Sequence, residues 1–522
     1  MDIVGNLSCV ETRHPEYIKR CRQWELIRDC VEGEDAIKDK GEVYLPRAVG
    51  MSNMRYNAFK RRARFVNYVY QTLEGTHGMI FRRAPVLKYP AEIEKIVNNI
   101  NREGSTLYQF FSDSVFDIIQ TGWGGYLIDM PMSGGNISVF DAEQLGIRSY
   151  VTYYTAESII NWKFDVVNGV KVPVLVVLLE KVESDDVGIF SHELKDRFRV
   201  LYLDENREYR QLIINKSKKS NGQFGYTAEE IPVKVRGKRL GYIPFVFAPE
   251  NVPQKPMFLD IAHVNIGHYM KSADYENGVH LTEFPTGWVT GAAPQKDEKG
   301  NIIPMVLGQD AFLMFKDPSV KVGNLEFSGE GITHSEKALE AAELQMVVLG
   351  SRIITPERGM SETAESANIH RAGENAKLAS FARNMSEKAT SILRIICDWE
   401  GCSGFASVDF NTDYETMHFD ANALNAMANI FAQGKVPLIV LYGMMMKGEF
   451  IPDSNMQFED YIEYLELEHS GLSEKEAYAA YKKYKETGVS QVDTSKLQCK
   501  TLEEIDNEVG EADSGIKAAV DK

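Results

Sequence analysis

The sequence predicts an α+β protein organised around unusually long helices. Three observations carry that reading. Apolar residues recur at helical spacing through residues 333–354, and beyond a proline-marked loop a proline-free run over 363–399 predicts a second long helix. Residues 122–250 change to short, β-branched, strand-length runs. A small β-rich insert, 286–320, separates one extended helix from the next, the layout of a knob on a two-helix stalk.

The first 120 or so residues read as helical. His14-Pro15 opens a helix that closes near Gly33, with Tyr17, Cys21, Trp24, Ile27 and Val31 on one stripe. Residues 53–73 predict another, with Phe59, Ala63, Val66 and Tyr70 as its apolar line. Its basic cluster (Arg55, Lys60, Arg61, Arg62, Arg64) reads as a solvated face or as partners for acidic neighbours, with nucleic-acid contact as the sharper alternative. Residues 91–101 and 107–120 add two helices around the turn Arg102-Glu103-Gly104-Ser105. From Gly122 the period changes. Strands are predicted at 123–129, 149–154, 172–180, 198–203, 209–215 and 231–235, with Asp204-Glu205-Asn206 as a hairpin turn. Together they make an antiparallel β block.

Pro253 and Pro256 mark a boundary, and a helix is predicted over 257–281, with Phe258, Ile261, Val264, Ile266, Tyr269 and Ala273 among polar residues. Phe284-Pro285 stops it. The insert that follows has a charged loop, Lys296-Asp297-Glu298-Lys299-Gly300-Asn301, at its tip. Thr333 and Glu336 fit a capping box, and Ala338, Leu339, Ala342, Met346, Leu349 and Ile353 continue the helix they start. Thr355-Pro356 breaks it. The next helix holds no proline over 363–399. Those 37 residues reach roughly 55 Å at 1.5 Å each, whereas an average helix has about 11–12 residues. A helix of that length is a strut across an assembly more often than a pocket wall, and Gly373 marks a place for a bend. After the linker Gly401-Cys402-Ser403-Gly404 come a strand at 406–410 and a bundle at 421–433, 437–446 and 458–465. Met444-Met445-Met446 reads as flexible core filler. The last thirty or so residues read as a mobile acidic tail.

Composition bounds the function. A length of 522 residues predicts about three domains, and 44% hydrophobic with 25% charged residues is ordinary for a folded protein. No apolar run approaches the roughly 18 residues of a membrane span, and the N-terminus lacks a secretion signal, so a cytoplasmic site of synthesis is expected. Cysteines at 9, 21, 30, 397, 402 and 499 show no C-x-x-C spacing, and read as small inert thiols rather than a zinc site or a disulfide framework. A net charge of −17 argues against a surface that grips nucleic acid everywhere. It is compatible with walls that repel phosphate and with ordinary solubility. No phosphate loop, H-E-x-x-H helix or G-x-S-x-G elbow occurs. His263 and His268 are five apart and do not share a face, and Asp409 and Asp413 read as turn residues. No enzyme, metal or cofactor is predicted.

Several patches resemble the portal proteins of tailed double-stranded-DNA bacteriophages, and more narrowly a portal-like family catalogued as a domain of unknown function. They are His14-Pro15-Glu16-Tyr17, Trp24, Arg28-Asp29 with Gly33-Glu34, Tyr44-Leu45-Pro46-Arg47, Arg62-Ala63-Arg64-Phe65, Glu74-Gly75, Gly78-Met79-Ile80-Phe81-Arg82 and Ala84-Pro85. Further along come Tyr242-Ile243-Pro244-Phe245, Leu259-Asp260-Ile261-Ala262, Asn265, His268-Tyr269, Ser272-Ala273-Asp274-Tyr275-Glu276 and Glu362-Thr363-Ala364. The resemblance covers roughly 14–470, and none of its patches is a catalytic signature.

The resemblance implies a ring, usually of twelve copies, at one capsid vertex. It implies a portal fold with a wing over 1–250, a stem helix at 257–281, a clip at 282–332 and a second stem helix at 333–354. A channel loop (355–362), a long wing helix with its strand (363–420), a crown (421–486) and an acidic tail (487–522) follow. Thr355, Pro356, Glu357, Arg358, Gly359, Met360, Ser361 and Glu362 would face DNA in the channel, with Arg358 the candidate for phosphate contact. Lys296, Asp297, Glu298, Lys299 and Asn301 would meet the motor or the adaptor at the clip. The implied partners are copies of the same chain, duplex DNA, the terminase large subunit, the head–tail adaptor and the major capsid protein, with scaffold left open and no membrane. The implied location is the virion, after assembly in a bacterial cytoplasm. Two alternatives stand beside it: a non-portal structural or adaptor ring, and a nuclease whose metal is held by dispersed carboxylates.

Overall fold

The N-terminal helices form where local signals start and stop each turn. The computed structural model describes residues 4–131, 146–167, 169–183, 192–218, 224–231, 233–283, 286–291, 299–301, 317–325, 330–354, 364–412, 414, 438–447, 458, 461–462 and 465. Helix α1 (Pro15–Glu32) starts with proline in its first turn, where a missing N–H costs nothing, and the His14 ring accepts the Glu16 N–H at 3.1 Å. It ends at Gly33, φ 107°. A short α2 (Glu34–Asp39) follows. The single helix expected over 53–73 is two, α3 (Asn53–Arg62) and α4 (Tyr68–Ile80). Residues 63–67 break it because this stretch bonds to a later helix instead of to its own turn. Asn67 then caps α4 by accepting the Tyr70 N–H at 2.9 Å.

Strand β1 (Val86–Lys88) was not expected. The helix expected over 91–101 shrinks to a 3₁₀ turn and the single-turn α5 (Glu94–Val97). The Asn99 and Asn101 side chains accept backbone N–H groups of Gly104 and Ser105 at 2.9 and 3.2 Å, which competes with helix continuation. Helix α6 (Leu107–Thr121) is capped by Thr106 and stopped by Gly122 in the left-handed region.

Strands β2 (Gly124–Asp129) and β3 (Tyr150–Thr155) pair antiparallel, Leu127 opposite Thr152. The chain then runs a sequential five-stranded meander: β4 (Ile159–Val167), β5 (Val170–Glu183), β6 (Leu194–Leu203), β7 (Tyr209–Lys218) and β8 (Phe224–Ile231). β9 (Phe245–Ala248) returns to the other edge of β2, giving the order β3-β2-β9. β4 and β9 were not expected as strands. β4 hides its period-2 pattern behind two register shifts, between Ile159 and Asn161 and between Lys163 and Phe164. The strand expected at 231–235 belongs to β8 only at Ile231; Val235 makes an isolated bridge to Lys238.

Two glycines of β2 are required by rings lying on them. A Cβ at Gly124 would sit 2.6 Å from the Tyr153 hydroxyl, and one at Gly125 would enter the Phe245 ring. Largely buried charges join the sheets. The Glu180 carboxylate of β5 accepts from Tyr154, Arg197 and Arg199, at 2.6 to 2.7 Å, and Arg199 also reaches Asp129 of β2 at 3.4 Å.

Helix α7 (Leu259–Glu283), the hairpin of β10 (Thr286–Thr290) and β11 (Lys321–Leu325), α8 (Glu330–Ile354) and α9 (Ala364–Glu400) follow. The α7 boundaries lie two residues later than expected, because the Pro256 carbonyl first accepts the Leu259 N–H in a turn. The capping box at Thr333 is not used: α8 already starts at Glu330, and Ile332 of that extra turn lies against Gly278 of α7. On α9, buried Leu378, Ala382, Met385, Ala389, Ile392, Ile396 and Trp399 alternate steps of four and three, a continuous apolar seam. β12 (Ser407–Asp409) pairs with β1 and is tied to α9, whose Thr390 hydroxyl accepts the Val408 N–H at 3.0 Å.

Met1–Tyr414 form one compact unit and Glu415–Lys522 another. Within the second, α10 (Leu438–Lys447) sets Tyr442 against Phe458 and Tyr461, and Met445 Sδ accepts from the Tyr461 hydroxyl at 3.7 Å. The helix expected at 421–433 and the tail at 487–522 lie outside the described residues.

Candidate functional site

The feature that distinguishes this chain is a helix pair rooted in the body and ending in a hairpin. Helices α7 and α8 are antiparallel: Ile332 lies against Gly278, Lys271 reaches the Ala338 carbonyl at 3.4 Å, and His268 Nε2 meets Glu343 Oε1 at 3.2 Å. Beyond them the hairpin strands pair antiparallel, with Thr286 opposite Leu325 and Thr290 opposite Lys321.

Burial shows where the pair leaves the body. On α7, Leu259, Ile261, Ala262, Asn265, Ile266, His268, Tyr269, Ser272 and Ala273 are buried, whereas no residue of 274–283 is. On α8, Ala342, Met346 and Gly350 are buried, whereas none of 331–341 is. Arg64 and Arg62 still reach Glu276 and Asn277, so it is the last six residues of α7, 278–283, that carry the pair outward, for roughly 9 Å.

The root is held by polar clamps on residues 63–67. Ser272 Oγ accepts the Arg64 N–H at 3.1 Å and lies 2.8 Å from the Arg64 carbonyl. Asn265 donates to the Val66 carbonyl at 2.8 Å, and Arg64 pairs with Glu276 at 3.0 Å. These bonds explain why α3 and α4 are separate. Gly350 lets α8 approach α4, since a Cβ there would stand 2.9 Å from Thr72 Oγ1. At the far end, Trp288 covers Gly323 so closely that a Cβ would stand 2.5 Å from its ring, and Gly291 turns at φ 80°. Opposite it, Asp317 accepts the Ser319 N–H at 2.8 Å, a bond that holds its carboxyl below the usual range.

Of the residues the sequence singled out, Thr355, Pro356, Glu357, Arg358, Gly359, Met360, Ser361 and Glu362 lie outside the described residues, as do Lys296, Asp297 and Glu298. Lys299 and Asn301 are exposed in the segment between β10 and β11. His268 is buried at the helix contact and His263 is exposed, on different faces as their spacing requires. The basic cluster is partly paired, through Arg64–Glu276 and through Lys60 to the Lys38 carbonyl. The Ser272 and Asn265 clamps were not foreseen: polar residues on an apolar stripe were the available signal, and sequence alone could not name their partners. Among the described residues, no His/Cys/Asp/Glu group could hold a metal, and no helix is long and apolar enough to cross a membrane.

Residues 257–400 match a family described as a domain of unknown function (DUF4055). The matched stretch holds the helix pair, the hairpin and α9. No curated protein matches. Among solved structures, a chain titled as the neck of native GTA particle computed with C12 symmetry shares 10% identity, with a TM-score of 0.32 over 71% of this chain and 86% of its own. A second, titled as the neck of empty GTA particle computed with C6 symmetry, shares 12% at 0.33, over 75% and 93%. At such values neither carries an argument about this chain. The fold itself is mixed helix and sheet, as the sequence predicted.

Proposed function

We propose that the chain is a portal-type subunit, copies of which form a ring at one vertex of a phage capsid through which duplex DNA enters and leaves. The carrying observation is the antiparallel helix pair, rooted in the body, whose chain between the two helices forms a β-hairpin. Rods of this kind can stand side by side around an axis, with the hairpins presented at one rim. The outward face of α8 fits such packing, since Leu344 and Val347 are 65% and 50% exposed. A neighbouring copy covering them would add roughly 1 kcal/mol for each. The family match over 257–400 spans the same elements and supports treating them as one functional unit.

In this reading the hairpin seats the terminase large subunit during packaging and the head–tail adaptor afterwards, and the major capsid protein surrounds the body. Residues 355–362 face the channel, where Arg358 makes brief phosphate contacts. Copies of a chain at −17 give an acidic wall that DNA slides past without sticking. The role is mechanical and electrostatic, and no bond is made or broken by the chain. Native mass spectrometry with negative-stain imaging of the full chain tests it. A twelvefold ring with an open centre is expected, whereas a stable monomer or a sixfold ring overturns the proposal. Arg358→Glu should lower packaging yield, and an unchanged yield removes that residue's role. Magnesium-dependent DNA cleavage by the purified chain would replace the mechanical reading with the nuclease one.

A further inference from the structure

The long helix α9 ends on two cysteines that the fold brings together. Gly401 takes φ 77°, and its N–H and that of Cys402 both donate to the Cys397 carbonyl, at 2.8 and 2.9 Å. The second bond is the six-to-one closure of a Schellman cap, in which the residue three before the cap meets the residue two after it. That pair is usually two apolar side chains in contact. Here it is two thiols, Cys397 and Cys402. Both are free, Cys397 buried and Cys402 half-buried at the surface. The cap is crowded from outside as well, since the Arg236 guanidinium lies over Gly401.

We propose that Cys397 and Cys402 are a redox-closable pair, oxidised to an intramolecular disulfide that locks the exit of α9. The co-reactant is a small dialkyl disulfide such as oxidised glutathione. The Cys402 thiolate, the more accessible, attacks one sulfur of that disulfide and releases one thiol. The Cys397 thiolate then attacks Cys402 Sγ and releases the second. Two S–H bonds and the reagent's S–S bond are broken, one protein S–S bond and two reagent thiols are formed, and the two electrons end on the reagent. A helix cap already holds the two backbones together, so closure needs no large movement, and the α-carbon span a disulfide requires is only about 4.4–6.8 Å. The bond would fix the point where the chain leaves α9 for β12. Burial pushes the Cys397 thiol up to about 11, helped by Cys402, Asp398 and Glu92. The rate of closure therefore rises with pH.

The test uses the full chain incubated with oxidised glutathione at pH 9, followed by alkylation and peptide mass spectrometry. The expected product is one peptide, holding both cysteines, lighter by two hydrogen atoms and closed to alkylation until a reductant is added. Cys402→Ser, a change at a half-exposed position, should leave Cys397 reduced, which shows that the two thiols partner each other. The proposal is overturned if both thiols alkylate after oxidation, if glutathione stays attached to Cys402 without exchange, or if either cysteine bonds instead to another cysteine of the chain.

Discussion

Removing the Ser272 hydroxyl tests how the helix pair is rooted. That oxygen accepts the Arg64 N–H at 3.1 Å, and its single proton lies within reach of both the Arg64 and Tyr269 carbonyls, each at 2.8 Å. Ser272→Ala deletes only this atom from a site that is otherwise packed, so the effect is lost hydrogen bonding rather than a large cavity. The Arg64 amide is left without its acceptor. Solvent reaches this segment in part, because the Arg64 side chain is 76% exposed, so the cost falls near the lower end for an orphaned backbone group, about 1–2 kcal/mol. At 1.4 kcal/mol per factor of ten, the amides of residues 63–67 should exchange with deuterium about 5- to 25-fold faster. Hydrogen-exchange mass spectrometry of a peptide covering those residues reads this directly. A peptide from β2 and β9, whose bonds are untouched, should keep its rate. If exchange at 63–67 stays within twofold of the wild type, the clamp does not hold the segment, and the break between α3 and α4 needs another cause.

Gly125→Ala should cost about 1–3 kcal/mol in urea unfolding, because its methyl group meets a Phe245 ring already wedged against Phe247. Gly323→Ala should cost less than about 1 kcal/mol, since Trp288 is 42% exposed and can swing aside; equal costs would refute the packing argument. Burial raises Glu180, but Arg199, Tyr154 and Arg197 more than offset it and hold the carboxyl below 4.5. Its contribution is therefore complete above the unfolded value of 4.5 and is lost as pH falls through the lower, folded one. Glu180→Gln should flatten that acid limb of tryptophan fluorescence; an unchanged limb assigns the acid sensitivity elsewhere. Leu344→Asp places a charge on the open face of α8, so it should leave the monomer's circular dichroism intact while native mass spectrometry loses the ring. A ring of unchanged population means that α8 does not face a neighbour.

The sequence placed elements best where local chemistry acts alone. Pro15 and Gly33 bracket α1, Gly122 ends α6, and the proline-free run predicted α9 to within a residue. It erred where another part of the chain competes. Residues 63–67 have a helical pattern, yet their backbone bonds to Ser272 and Asn265, some two hundred positions away. Asn99 and Asn101 turn their own backbone instead of extending a helix. β4 was lost because bulges break its alternation. The cysteines were set aside for want of a close motif, and only the cap geometry at Gly401 brings two of them together.

Hydrophobic period, proline and glycine fixed by themselves that this chain would carry two long antiparallel rods around a small β module, because those signals act over one or two turns. Which face of each rod lies against the body, and where the pair leaves it, were decided only by tertiary contacts. The reason is physical. A helix stripe specifies that a face must be buried, but the partner that buries it is chosen by shape and by polar groups such as Ser272, His268 and Glu343, which find their acceptors only once the chain has folded.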